Sequence, residues 1–229
     1  MWPRIAQLLV LLALGGVIAL AGSWAGAADT GGAFRWPLPD WMPPPPVPAD
    51  NPMSVAKVEL GRYLFFDARL AGLNYMSCST CHRPELGFTD GRPVAIGVTG
   101  ERHPRNSQPL ANVGYLPTLT WADPSVTSLE EQAKLPLFGE HPIEMLAAGR
   151  ESAIMARLEV DLRYRRLFAA AFPETGGRID SLAIRRALAA FERTLLSKIA
   201  SLSLIGRGFG QPNLVGTKCK GERRAIFDL

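Results

Sequence analysis

The sequence predicts a mostly α-helical domain that carries long ordered loops. Several stretches place apolar residues at helical spacing, and residues that cap helices stand before them. Residues 83–123, in contrast, are rich in Gly, Pro and Asn and keep neither a helical nor a strand period. A loop of that length is unusual unless it wraps a ligand. With 47% hydrophobic residues over 229 positions, the chain can bury a sizeable core.

The N-terminus has the pattern of an export signal. Arg4 precedes an uncharged apolar run over 5–20, and small residues follow up to Ala25-Gly26-Ala27. This order predicts a cleavable signal peptide over 1–27. An uncleaved membrane anchor is the alternative, because the apolar run is nearly long enough to span a bilayer. Either interpretation places the remaining residues outside the cytoplasm.

Residues 28–53 are predicted to form a Pro-rich leader. Four consecutive prolines occupy 43–46, and Pro48 follows. Such a run favours polyproline II and cannot enter a helix or the interior of a sheet. We therefore expect an extended leader over the surface of the domain, in preference to a partner-binding motif.

Two serines mark predicted helix starts. Ser54 can cap a helix that continues through Phe65. Ser128 begins a capping-box pattern that opens a short helix through Lys134, and Pro136 is expected to end it.

Two further amphipathic helices are predicted before residue 197. The first follows Gly149 and has apolar positions at Ile154, Leu158, Leu162, Tyr164 and Phe168. Asp180 can cap the second, whose stripe is Ile184, Leu188, Phe191 and Leu195. The folded domain is thus expected over 54–197, and residues 198–229 form a divergent tail for which no regular structure is predicted.

The charge pattern argues against a nucleic-acid partner. The formal net charge is +4, but the basic residues are scattered and mixed with acidic ones.

Residues 78–82 read Cys-Ser-Thr-Cys-His, the C-x-x-C-H pattern of covalent haem attachment. Two thiols at this spacing can add to the two vinyl groups of one porphyrin, and His82 can then bind the iron as its proximal ligand. A redox-active pair would require a thioredoxin-like βαβ context, and a zinc site would require further ligands, whereas Cys219 stands alone. The sequence therefore predicts one haem c on Cys78, Cys81 and His82.

The motif lies in a longer run that resembles a known family. Residues 60–100 and 105–145 are similar to the N-terminal half of bacterial di-haem cytochrome c peroxidases, and most similar to the branch of tryptophan-oxidising di-haem enzymes. The resemblance extends over about 34–197. It implies a cytochrome c-like haem domain, a periplasmic location and a calcium ion shared between two haem domains.

The resemblance also implies roles for single residues. Glu144 matches the distal acid/base of the family, which moves a proton between the two oxygens of peroxide. Gln132 matches a distal-pocket residue that hydrogen-bonds the ligand of the iron. Trp121 matches an aromatic electron relay between the two haems, and Asn106 matches a side-chain ligand of the calcium ion.

The sixth ligand of the iron stays open at this stage. Some family members use a distal histidine where this chain has Val98, and His103 follows a few residues later as a candidate. His141 either lines the same pocket or is an ordinary loop residue. A methionine ligand would indicate electron transfer, but Met76 and Met145 are interpreted as core residues.

The chain departs from the family pattern after Lys198. A second C-x-x-C-H, which family members carry in their C-terminal domain, does not occur in the sequence. A truncated or frame-altered product, a fragment and a natural one-haem form are the open explanations. Because a large face would then be exposed, marginal stability or association with another copy or another chain is expected.

The sequence thus predicts an oxidoreductase of cytochrome c peroxidase type. It would reduce hydrogen peroxide, or use it to oxidise a partner protein, and would exchange electrons with a small donor protein. A mono-haem electron-transfer cytochrome and an inactive fragment of a di-haem enzyme are the alternatives.

Overall fold

A computed structural model describes residues 34–197. The predicted signal peptide, the first residues of the leader and the tail over 198–229 lie outside these described residues. Between 34 and 197 the chain is helical with long loops, and the pairs Arg83/Thr89 and Ile96/Arg102 form isolated β-bridges rather than strands. The predicted mostly α class is confirmed. Within the same residues, no helix has both the length and the apolar character needed to cross a membrane.

Seven α-helices are found in the described part of the chain. They are α1 Val55–Phe65, α2 Cys78–Cys81, α3 Leu129–Gln132, α4 Lys134–Phe138, α5 Glu151–Glu159, α6 Leu162–Ala171 and α7 Ser181–Arg193. Short 3-10 turns lie at Ala68–Leu70, Pro84–Leu86, Val113–Tyr115 and Pro173–Thr175.

The predicted helix starts are confirmed by their capping bonds. The side chain of Ser54 accepts from the amide of Lys57 at 3.1 Å, and Ser128 accepts from Glu131 at 3.2 Å. Asp180 caps α7 by accepting from the amide of Ala183 at 2.8 Å. Each cap satisfies an amide that has no partner inside the helix.

Two boundaries differ from the sequence prediction. The helix that begins after Ser128 ends at Gln132 rather than continuing through Lys134, and Pro136 does not stop it but lies in the first turn of the next helix, α4, where a missing amide proton costs no helical hydrogen bond. The single helix expected after Gly149 is two helices, since Asp161 has extended backbone angles and caps α6 by accepting from the amide of Arg163. An internal N-cap can divide one continuous apolar stripe into two helices.

Helices α1 and α7 form the main helix pair of the core. Gly61 of α1 lies so close to α7 that an added Cβ would be 1.9 Å from the carbonyl oxygen of Ala187. The rings of Phe65 and Phe191 meet at 5.2 Å, and Phe65 also contacts Phe88 at 6.2 Å. This aromatic cluster lies beside the C-x-x-C-H segment, because the Phe65 and His82 rings are 6.4 Å apart.

The described part of the leader lies against the domain. The hydroxyl of Tyr115 donates to the carbonyl of Pro43 at 2.6 Å, and the guanidinium of Arg193 donates to Pro46 at 3.3 Å. Asn51 is fully buried and donates to the carboxylate of Glu130 at 2.6 Å. Leader, α3 and α7 are therefore joined by one polar network.

Candidate functional site

The two haem-attachment cysteines begin and end a single helical turn. The turn is fixed at its start by the amide of Ser77, which donates to Oγ1 of Thr80 at 3.1 Å. At its end the amide of His82 donates to the carbonyl of Cys78 at 3.0 Å. Residues three apart on a helix lie on one side, so both thiols are presented together. The two cysteines are not joined in a disulfide, and burial raises the pKa of both thiols.

The imidazole of His82 is oriented by the loop that follows it. Nδ1 is 2.9 Å from the carbonyl of Phe88, which assigns the ring proton to Nδ1 and leaves the lone pair on Nε2. Metal-binding histidines are commonly oriented by such a backbone carbonyl. Phe88 is buried at a φ of +62°, a conformation that bulky residues rarely adopt. Burial lowers the pKa of His82, which favours the neutral ligand form.

One cavity of about 350 Å³ brings the predicted site residues together. Its lining is mostly apolar, and its volume falls within the range of cofactor sites. The polar and sulfur-bearing residues predicted from the sequence all line it: Cys78, Cys81, His82, Asn106, Trp121, Gln132 and Glu144. Two thiols, a neutral imidazole and an apolar cavity are the set of groups that a covalently attached haem requires. The residues therefore fit a haem c.

Glu144 has an environment that suits a proton carrier. Burial raises the pKa of its carboxyl group, and the neighbouring His103 opposes that rise. Oε1 of Glu144 is 4.0 Å from Nδ1 of His103. The backbone carbonyl of Glu144 accepts from the amide of Val98 at 2.8 Å, which ties this segment to the loop after the haem motif. A carboxyl group with a raised pKa exchanges protons at a higher pH than an ordinary glutamate does, which suits a proton carrier.

Gln132, Trp121 and Asn106 occupy other parts of the cavity lining. Gln132 is the last residue of α3 and is partly exposed. Trp121 is 50% exposed, and its Nε1 donates to the backbone carbonyl of Asn106 at 3.0 Å. The guanidinium of Arg105 lies 5.9 Å from the centre of the indole. Trp121 thus extends from the cavity to the surface.

The calcium site stays a prediction. The side-chain amide of Asn106 donates to the carbonyl of Ser107 at 3.4 Å. In the described part of the chain, no group of three or more His, Cys, Asp or Glu side chains is arranged to hold a metal ion.

Comparisons with known proteins identify the family. The family model for di-haem cytochrome c peroxidase matches residues 55–205, more than half of the chain. The chain belongs to the di-haem cytochrome c peroxidase family. It is 38% identical over 182 residues to the cytochrome-c peroxidase IdrP1 of Denitromonas iodatirespirans, covering 79% of this chain and 46% of that protein. It is 37% identical over 155 residues to the methylamine utilization protein MauG of Methylophilus methylotrophus, covering 68% and 44%.

A solved structure agrees with this assignment. The crystal structure of a MauG-like protein associated with microbial copper homeostasis matches with a TM-score of 0.71 and 46% identity, covering 78% of this chain and 52% of that one. The chain spans about half the length of the relatives it matches.

The remaining candidates for the iron's sixth ligand differ in position. His103 lines the cavity of this peroxidase-family domain, but its imidazole lies beside Glu144. His141 is exposed and is not part of the lining, so it is an ordinary loop residue. Met76 and Met145 both line the cavity, and Met145 is also buried in the core, as expected from the sequence.

Glu192 is a cavity residue that the sequence analysis missed. It lies in the last turn of α7 and is 8% exposed. Burial raises the pKa of its carboxyl group to about 8, although Arg193 opposes the rise. The signal was present, because Glu192 is four residues after Leu188 and therefore falls on the buried stripe of α7.

This buried carboxyl group predicts a pH-dependent stability. Its pKa is raised from 4.5 to about 8, so between these values the folded chain holds a proton that the unfolded chain has released. Stability should therefore fall as pH rises through this window, by up to about 1.4 kcal/mol per pH unit. Denaturant unfolding of the haem-loaded chain at pH 5 and pH 8 measures the slope. Glu192→Gln should flatten it, whereas Glu59→Gln, at an exposed position of α1, should not. If the stability of Glu192→Gln falls with pH as steeply as that of the wild type, the raised pKa does not belong to Glu192.

Proposed function

We propose that this chain is the peroxidatic haem domain of a periplasmic c-type haem oxidoreductase, which reduces hydrogen peroxide or uses it to oxidise a partner protein. The observation that carries this proposal is the shared cavity: the haem-attachment residues and the carboxyl group of Glu144, whose pKa is raised, line the same mostly apolar space. The named relatives support it, because they include both cytochrome-c peroxidases and MauG proteins.

In this proposal Cys78 and Cys81 hold the haem through thioethers, and His82 binds its iron through Nε2. The bound haem supplies the redox chemistry that cleaves the O–O bond. Glu144 accepts a proton from peroxide on an Oε atom and returns it to the departing oxygen. Gln132 orients the oxidant by hydrogen bonding, and the apolar lining excludes bulk water.

Trp121 is proposed as the route by which electrons leave or enter the cavity. Its indole lines the cavity and is half exposed, so it can meet a second haem domain, a small electron-donor protein or an oxidisable protein. Association with another copy or with a second chain would cover this exposed ring. Coordination of calcium by Asn106 belongs to the same proposal and rests on the family resemblance.

A mono-haem electron carrier is the second candidate function. Met76 and Met145 both line the cavity, and a methionine thioether is the axial ligand that raises the potential of electron-transfer cytochromes. Binding of either sulfur to the iron would close the position that peroxide needs.

An absorption spectrum with and without hydrogen peroxide distinguishes these functions. The chain is expressed with export and cytochrome maturation, and ferric protein is mixed with peroxide. The proposed function predicts a high-spin or readily opened haem whose spectrum changes on mixing. A low-spin spectrum that peroxide leaves unchanged would support the electron carrier, and a chain without haem would support an inactive fragment.

A further inference from the structure

The segment over 95–105 folds back on itself and places His103 at the cavity. The amide of His103 donates to the carbonyl of Ala95, and the amide of Ala95 donates to the carbonyl of Arg105, both at 2.9 Å. A β-bridge between Ile96 and Arg102 closes the same turn. The imidazole is therefore attached to a locally hydrogen-bonded element rather than to an open loop.

The backbone at Ile143 packs against the imidazole of His103 and fixes its position. Nε2 of His103 is 3.3 Å from the carbonyl of Ile143, and the side chain is 9% exposed. A Cβ on Gly97 would be 1.8 Å from that carbonyl oxygen and 3.2 Å from Nε2. Only glycine therefore lets the two segments approach this closely. The amide of Ile143 donates in turn to the carboxylate of Glu101 at 3.2 Å.

The two ring nitrogens then have different neighbours. Because Nε2–H donates to the carbonyl of Ile143, the neutral ring carries its lone pair on Nδ1. Nδ1 faces Oε1 of Glu144 at 4.0 Å, on a carboxyl group that lines the same cavity. Nε2 is thus engaged by the carbonyl of Ile143, whereas Nδ1 faces Glu144 beyond hydrogen-bond distance.

We propose that His103 is a positioning residue for Glu144: its imidazole faces the carboxyl group at 4.0 Å and shares one proton with it when the two side chains move into hydrogen-bond distance. The inference rests on the proposed function, in which Glu144 moves a proton for peroxide. In one form of the pair the proton is on Oε of Glu144 and the imidazole is neutral. In the other form the O–H bond has broken, the N–H bond on Nδ1 has formed, and an imidazolium faces a carboxylate. No proton is gained or lost between the two forms.

Arg105, Asp123 and Glu192 line the same cavity, but His103 is the charged group that shifts the pKa of Glu144. Glu101 reaches the pair only through the amide of Ile143. The thiols of Cys78 and Cys81 interact electrostatically with Glu144, but they do not titrate once they are thioethers. Because His103 opposes the effect of burial, removing its imidazole should raise the pKa of the Glu144 carboxyl group.

Infrared spectroscopy of the haem-loaded chain tests the pairing without using turnover. The stretching band of protonated carboxyl groups is followed against pH, and the contribution of Glu144 is identified by its absence in Glu144→Gln. In His103→Gln the midpoint of this band should move to higher pH, and His103→Asn should move it in the same direction. His141→Gln, at the exposed histidine, should leave it in place.

The rate of reaction with peroxide provides a second test. If the carboxylate accepts the proton, the rate rises with pH through the pKa of Glu144. His103→Gln should move this rise to higher pH. If the pKa of Glu144 is about one pH unit higher in the variant, its rate at a pH below that pKa should be about tenfold lower than that of the wild type. At high pH the two rates should be equal.

The outcomes of the two measurements separate the pairing from the proposed function. A moved infrared midpoint without any peroxide reaction would sustain the pairing while rejecting the proposed function. An unmoved midpoint in both His103 variants would overturn the pairing. Conversion of a low-spin ferric spectrum to high spin in these variants would also overturn it, by making His103 the sixth ligand.

Discussion

Replacement of Glu144 by Gln is expected to slow the reaction of the haem-loaded chain with hydrogen peroxide by roughly 10²–10⁴-fold. Gln keeps the size of the side chain but cannot accept and return a proton. The raised pKa of Glu144 adds a pH dependence, because the carboxylate form predominates only above that pKa. The wild-type rate should therefore fall as pH is lowered, and the fall should begin above the ordinary range of a glutamate. Stopped-flow absorbance in the Soret region measures both effects.

The matched control is Glu140→Gln, which changes an exposed glutamate of the same loop that does not line the cavity. Its rate should equal that of the wild type. If Glu144→Gln reacts as fast as Glu140→Gln, the proton transfer has to be assigned elsewhere.

The second large effect is on stability. Arg193→Ala is expected to lower the free energy of unfolding by about 3–5 kcal/mol, because it leaves a buried carboxylate without its partner. The guanidinium of Arg193 donates two hydrogen bonds to Glu130, at 2.8 and 2.7 Å, and its side chain is 3% exposed. The pKa of Glu130 is lowered despite its burial, since Arg193 and Asn51 stabilise its charged form. Denaturant unfolding measures the loss.

Arg178→Ala removes an arginine from an exposed ion pair with Asp180 and serves as the comparison. An exposed pair contributes about 0–1 kcal/mol, so the two variants should differ by several-fold. Equal losses in Arg178→Ala and Arg193→Ala would mean that the buried network does not hold the leader and α7 to α3 in solution.

Local signals in the sequence were sufficient for three of the helix starts. Ser54, Ser128 and Asp180 each cap the helix that they were expected to cap, because an N-cap acts within one turn of its own position. The division between α5 and α6 was missed, since Asp161 interrupts a stripe whose spacing continues across it. Pro136 was misjudged because the rule for proline depends on its position in the helix, and a new helix starts at Lys134.

The residues of the candidate site also fall into two groups: those that a sequence pattern indicates and those that only the fold brings together. The C-x-x-C-H spacing indicates its chemistry from five consecutive residues, and the family resemblance supplied Glu144, Gln132 and Trp121. The contact between His103 and Glu144 depends on how the segment 95–105 closes against residue 143, and no local pattern encodes that approach. Glu192 is a contrasting case, because it was not among the predicted site residues although its helical spacing falls on the buried face of α7.

The proposed roles all require that haem is covalently attached to Cys78 and Cys81. The most direct measurement is the absorption of exported protein from cells competent in cytochrome maturation, before and after denaturation and extraction with acid and organic solvent. We expect a Soret band that stays with the polypeptide after this treatment and is lost in a Cys78→Ala/Cys81→Ala double variant. A wild-type chain that shows no Soret band, or that releases all of its pigment on denaturation, would contradict this account.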